Sequence, residues 1–357
     1  MILWQKNKRL DWKKLCLASV IMLQSFSLGI KAMDNAKAEE KLNYLEGKAE
    51  CVMELNSRRI LYEANGETRL PIASTTKILT AATVLEYCND IRAEISIPPE
   101  AVGIEGSSVY LKEGEIYSIK DLLYGMMLRS GNDCATALGL YCGKSIENFS
   151  QMMNLIAQKA GALHSNFTNP HGLPCEKHYS TARDMCYITC YAMKNPIYQT
   201  IVSTTYYAPR GWKNKNKMLT LYEGANGGKT GYTKAAGRCL VSSANRENMT
   251  LICTVLNCST TYERSIKLLD DAFAAYKNVK VLDGNQSFII KTNGQELRAT
   301  TKQDFYYPLL KEEMELIEIQ INALQNITKK TKKDEIIGQF EIYLAKQLLF
   351  SGNLYKL

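Results

Sequence analysis

The chain has 357 residues, with 44 Lys and Arg against 36 Asp and Glu, a formal net charge of +8 and 46% apolar residues. A chain this long buries a core without covalent staples, and no internal repeat or low-complexity segment appears. Residues 1–38 hold seven of the basic and two of the acidic residues, so the remainder carries 37 against 34, which leaves little basis for nucleic-acid binding.

Taken in chain order, Lys6, Lys8, Arg9, Lys13 and Lys14 precede an apolar run over residues 15–30 that only Ser19, Gln24, Ser25 and Ser27 interrupt. This is the pattern of a secretory signal, residues 1–38, with small-residue cleavage after Ala32 or Ala38 and a run short for a spanning helix. Cys16 stands at the start of the run where a lipoprotein cysteine follows one, so lipidation is not expected. The mature chain is expected outside the cytoplasm, at the cell wall or the outer face of the membrane.

Strand-like segments at residues 49–56 and 60–63 come first. Ser74-Thr75-Thr76-Lys77 then leads into Ile78, Leu79, Ala81, Ala82, Val84 and Leu85, an apolar recurrence at helical spacing with Pro71 just ahead. Ser74 is therefore expected in the first turn of a core helix, with Lys77 one turn above on the same face. A serine hydroxyl is a weak nucleophile until a base takes its proton, and a lysine buried beside other cations can serve as that base. Alone, the pair reads first as a capping serine and a solvated lysine.

Residues 117–141 read as two amphipathic helices joined at Arg129-Ser130-Gly131-Asn132-Asp133, a turn able to present Ser130 and Asn132 to a cleft. Further on, Gly227-Gly228-Lys229-Thr230-Gly231-Tyr232-Thr233 runs into strand-like residues 238–244 and 249–256, a hairpin closed by residues 245–248. A glycine-bearing strand edge lets a peptide lie alongside, with Lys229 and Thr230 available to a terminal carboxylate. Each element alone is an ordinary turn.

In this order the three motifs match the S-x-x-K, S-x-N and K-T-G set of penicillin-recognising enzymes. The chain resembles the serine-type D-alanyl-D-alanine carboxypeptidases, the low-molecular-mass penicillin-binding proteins of the S11 peptidase family. Gly106-Ser107-Ser108-Val109-Tyr110-Leu111, Asn169-Pro170-His171-Gly172-Leu173 and Ser180-Thr181-Ala182-Arg183-Asp184-Met185 extend the likeness. It implies an α/β (α+β) penicillin-recognising fold over residues 39–277, in which a helical lobe and an antiparallel sheet enclose the cleft. It also implies that Ser74 attacks the bond between the last two D-alanines of a peptidoglycan stem peptide, that Lys77 accepts its proton, and that Ser130 relays a proton to the leaving amine. Asn132 would hold the substrate amide, and Lys229, Thr230 and Gly231 the carboxylate. The backbone N–H groups of Ser74 and Tyr232 would form the oxyanion hole. Arg264 is the best match to an arginine that recognises the terminal carboxylate in the family, and β-lactams would be covalent inhibitors.

The second motif reads S-G-N where class A β-lactamases carry S-D-N, and no Glu-x-x-Leu-Asn run is present, which argues against a fast β-lactamase. The three histidines, His164, His171 and His178, make no Ser-His-Asp case, and no Cys/His spacing makes a zinc site, so no cofactor is expected. Free thiols are favoured over a disulfide framework, with Cys239 and Cys253 as the pair to check. Residues 278–357 alternate in short runs and read as a small all-β domain. No terminal amphipathic helix follows, which leaves membrane-surface proximity without an evident anchor, and Lys329, Lys330, Lys332 and Lys333 read as a solvated loop. A transpeptidase or endopeptidase with the same motifs, or a penicillin-binding sensor, are the rival functions.

Overall fold

Side chains that alternate with period two build the first layer. Five strands, β1 (Gly47–Glu54), β2 (Ile60–Ala64), β3 (Ala225–Thr233), β4 (Gly237–Arg246) and β5 (Met249–Cys258), form one antiparallel sheet in the order β2-β1-β5-β4-β3. This computed structural model describes residues 47–292, 295–324, 327 and 331–357. The expected signal, residues 1–38, lies outside the described residues, as do Lys329 and Lys330.

The β4–β5 turn is the two-residue step Glu247-Asn248, with φ +48° and +61°. Two consecutive left-handed residues give the turn whose twist matches a hairpin. Ala49, Cys51 and Met53 face one core together with Cys239, Val241 and Ile252, whereas Val52, Leu240, Cys253 and Val255 face another. Cys239 and Cys253 therefore lie on opposite faces, and the register sets Cys253 against Ser242. Strand parity rules out the pair singled out from the sequence. All ten described cysteines are free thiols, and Cys175 is the exposed one.

The first core is covered by α1 (Lys77–Tyr87), α2 (Ile119–Leu128), α3 (Asn132–Gly143), α4 (Ile146–Ala160) and α5 (Ala182–Ala192). Ser118, Ser145 and Thr181 cap α2, α4 and α5 by accepting a backbone N–H three residues on, each cap contributing about 1 kcal/mol. Helix α1 is buried on every side from Lys77 to Val84, its polar Lys77, Thr80 and Thr83 included, which makes it the axis of the helical lobe. The second core is covered by α6 (Thr261–Ala275), through Leu268, Leu269 and Phe273.

The tail is all β, as its alternation implies. Strands β6 (Lys277–Leu282), β7 (Phe288–Thr292), β8 (Gln295–Thr300), β9 (Phe305–Leu309), β10 (Ile317–Ala323), β11 (Ile336–Leu344) and β12 (Gln347–Lys356) form a β6-β9 pair and a sheet in the order β7-β8-β12-β11-β10. Between β9 and β10 the chain makes a 3₁₀ turn, Lys311–Leu316. That turn meets the main sheet through one cation. Arg59, just before β2, donates to the Pro308 carbonyl (2.6 Å) and to both Glu313 oxygens (2.5 and 2.9 Å), with the Tyr276 and Tyr307 rings each 5.2 Å away.

Arg59→Ala removes both the ion pair and the ring contacts, so it should cost about 2–3 kcal/mol and leave the distant cleft working. A thermal melt read beside an activity assay checks this; an unchanged melt would show the contact to be idle.

Candidate active site

A strained turn meets the buried helix at the first motif. Ala73 has φ +48°, a left-handed conformation that costs an alanine about 1–2 kcal/mol. Ser74 follows within the 3₁₀ turn Ala73–Thr76, which runs straight into α1. Thr75 and Thr76 brace the turn by donating to the carbonyls of Ile72 (2.7 Å) and Ala73 (2.8 Å). Two glycines allow neighbouring backbone to close on it. A Cβ at Gly172, whose φ is +87°, would collide with the Ala73 carbonyl, and one at Gly231 on β3 would stand 3.1 Å from the Ser74 nitrogen.

Lys77 Nζ lies 2.8 Å from Ser74 Oγ and donates to Asn132 Oδ1 (2.6 Å) and to the His171 carbonyl (2.8 Å). Its side chain is fully buried. Burial first, and then the charge of Lys229, push its pKa well below the ordinary lysine value, while Cys134 and Asp133 act the other way. A neutral amine has two hydrogens and one lone pair. In that form the Asn132 and His171 acceptors would take the two hydrogens and leave the lone pair to the Ser74 hydroxyl.

Lys229 repeats the arrangement from the opposite wall. Its Nζ donates to Ser130 Oγ (3.1 Å) and to the Thr230 carbonyl (2.8 Å). Burial, followed by the charge of Lys215, lowers its pKa to about 7. Ser130 itself is held left-handed, at φ +64°, in the turn between α2 and α3. Asn132 opens α3, and its Nδ2 donates to the Glu105 carbonyl.

These side chains border a cleft of about 700 Å³ lined by Ser74, Ser130, Lys215, Thr230, Tyr232 and Arg238, with Gly231 in the same wall. Of the residues expected from the sequence, Lys77, Asn132 and Lys229 stand behind this lining and bond to it. His171 belongs to the loop below the cleft. Burial lowers its pKa to about 3, and its Nδ1 accepts from the Leu173 N–H (3.1 Å), so it is a neutral structural group.

Arg264 is the correction. It is buried on the far side of the sheet in a two-point ion pair with Glu50 of β1, at 2.8 and 2.7 Å, and contacts Tyr62 OH at 3.2 Å. Thr261 and Tyr262, in the first turn of α6, reach the cleft, and Arg264 one turn later does not. Two cations in the cleft, Lys215 and Arg238, escape a sequence reading because no motif marks them. Asp133 escapes as well. Its buried carboxylate accepts from Ser108 Oγ (2.5 Å) and from the N–H groups of Val109 (3.0 Å) and Leu111 (3.2 Å), which straps residues 108–111 to α3.

A family model described as D-alanyl-D-alanine carboxypeptidase matches residues 35–260, and one described as Penicillin-binding protein 5, C-terminal domain, matches residues 271–357. The D-alanyl-D-alanine carboxypeptidase DacF of Bacillus subtilis is 31% identical over 89% of this chain and 86% of its own length. The crystal structure of penicillin binding protein 5 from Haemophilus influenzae superposes with a TM-score of 0.71 at 27% identity, covering 87% of this chain and 96% of that one. That of the Streptomyces K15 DD-transpeptidase gives 0.61 at 32%, covering 64% and 97%.

Removing Arg264 tests the correction. Arg264→Ala leaves Glu50 charged and buried, so it should cost about 3–5 kcal/mol of stability while the folded fraction keeps its affinity for a carboxylate-terminated ligand. A loss of that affinity at unchanged stability would restore the residue to the site.

Proposed function

Because the chain belongs to the S11 family of D-alanyl-D-alanine carboxypeptidases, a family of serine peptidases, we propose that it removes the terminal D-alanine from peptidoglycan stem pentapeptides through an acyl-enzyme on Ser74. The observation that carries the residue assignment is the Lys77 amine, buried, with its pKa lowered by that burial, and 2.8 Å from Ser74 Oγ. Lys77 takes the hydroxyl proton as Ser74 attacks the carbonyl between the two D-alanines. The N–H groups of Ser74 and Tyr232 receive the oxyanion, each donor contributing about 3–4 kcal/mol where one has been removed in other hydrolases. Ser130, polarised by Lys229 at 3.1 Å, passes a proton to the departing amine. Asn132 positions the acyl amide with the second hydrogen of its Nδ2. Water then releases the shortened peptide.

With Arg264 committed to Glu50, the terminal carboxylate falls to Thr230, Lys215 and Arg238, whose side chains share the cleft. β-Lactams enter the same chemistry and stall on Ser74. A second reading comes from the Streptomyces relative, whose structure is that of a DD-transpeptidase: an amine in place of water as acceptor of the acyl group. We further take residues 1–38 as a removed export signal, 39–277 as the catalytic domain and 278–357 as the β-domain, of an enzyme that acts outside the cytoplasm, at the cell wall or the outer face of the membrane. Among the described residues no helix is long and apolar enough to cross a membrane.

D-alanine release from a pentapeptide by residues 39–357 tests the reading, with an added amine acceptor to separate hydrolysis from transfer. Ser74→Ala should lose both turnover and covalent penicillin labelling, and Lys77→Ala should slow acylation about 10³-fold. Labelling retained in Ser74→Ala would overturn the nucleophile. The pH profile of kcat/KM should rise as Lys77 loses its proton and fall near pH 7 as Lys229 loses its charge. Lys215 depresses Lys229, so Lys215→Gln should move the falling limb to higher pH while weakening substrate binding; a limb that stays in place would dissociate it from Lys229.

A further inference from the structure

On a segment that starts at the cleft wall, one exposed aromatic residue is held in left-handed backbone. Tyr110 has φ +65°, which for a bulky residue persists only where the surroundings over-determine it, and the residue is 85% exposed. The restraint is the Asp133 strap: the N–H groups of Val109 and Leu111, on either side of Tyr110, converge on that carboxylate, and the Tyr110 N–H donates to Ser108 Oγ (2.8 Å). The same segment begins at the cleft wall, where Gly106 and Ser107 line the cavity and the Ser107 carbonyl accepts from the Asn132 N–H (2.7 Å). A rigid ring thus stands uncovered on a strap tied to the second motif.

We infer that Tyr110 is a specificity-determining residue whose ring takes the stem peptide upstream of the two terminal D-alanines, from its third residue outward. The inference rests on the peptidase reading and deepens it. In that reading Ser74 marks the scissile bond, while Ser130, Thr230 and Lys215 take the leaving side. The acyl side runs past Asn132, and the side-chain and backbone N–H groups of Asn132 bond to the Glu105 and Ser107 carbonyls, the start of the segment that carries Tyr110. A tyrosine offers rigid, amphipathic contact area with few torsions to freeze, and its pre-set backbone means that no loop ordering is charged against binding.

The test compares kcat/KM for D-alanine release from a muramyl pentapeptide and from acetyl-D-alanyl-D-alanine. Wild-type turnover of the short substrate examines the peptidase reading by itself; no release from either substrate would remove that reading and the Tyr110 role with it. Given turnover, Tyr110→Ala should lower the long-to-short ratio about tenfold, mainly through KM, and Tyr110→Phe should hold it within about twofold. Tyr110→Gly relieves the positive φ, so it should raise the melting temperature while losing the ratio as the alanine variant does. A ratio unchanged in the alanine and glycine variants would overturn the proposal, as would an equal loss on both substrates.

Discussion

Two buried lysine amines stand behind one cleft, and this arrangement sets the terms for the rest of the site. Lys77 and Lys229 are both buried, and each is penalised first by loss of water. Two like charges in such a place cannot both persist. The asymmetry is set by the surroundings. Lys77 meets the Lys229 charge directly and finds two good acceptors for the hydrogens of a neutral amine, whereas Lys229 titrates near neutrality and keeps a hydroxyl and a carbonyl as partners. The burial of α1 from Lys77 to Val84, the close approach of Gly172 and Gly231, and the placement of Asn132 at the start of α3 all serve to bury the two amines and keep them apart in character.

Ala73 and Ser130 in the first two motifs, and Tyr110 on the segment that runs out from the cleft wall, occupy left-handed backbone. Each is held by something local and identifiable: threonine hydroxyls at the first turn, the α2–α3 junction at the second motif, the Asp133 carboxylate on that segment. Strain of this kind is affordable because the sheet and the helical lobe bury extensive apolar surface on both faces of five strands. It aims Ser74 and Ser130 at a common point from separate elements.

What the sequence discloses and what it conceals divide by distance along the chain. Ser74 and Lys77 are three apart on one helix, and Ser130 and Asn132 share one turn, so local geometry suffices to place them. The β4–β5 hairpin and most strands of the tail follow from alternation and turn residues. Arg264 was misread because its partner, Glu50, lies on the first strand and nothing near Arg264 announces a buried carboxylate. Lys215 and Arg238 reach the cleft from separate segments by tertiary placement alone. For Cys239 and Cys253 the strands were legible, but their separation depends on a register parity that a shift of one residue would reverse.

The cysteines have a practical side. Burial raises the pKa of Cys190 and Cys253 beyond the usual thiol range and that of Cys239 to about 11, and that of Cys142, half-buried, to about 12. Their thiolate fraction, and with it their rate of exchange with other thiols, is negligible at neutral pH. Cys175 differs: it is exposed, and hydrogen bonds from Thr168 and the Lys177 backbone favour its thiolate. It lies four residues after His171, whose carbonyl holds the Lys77 amine. The native protein therefore carries one selectively reactive handle among its described cysteines, at a position from which an attached fluorophore would sense what happens beneath Ser74.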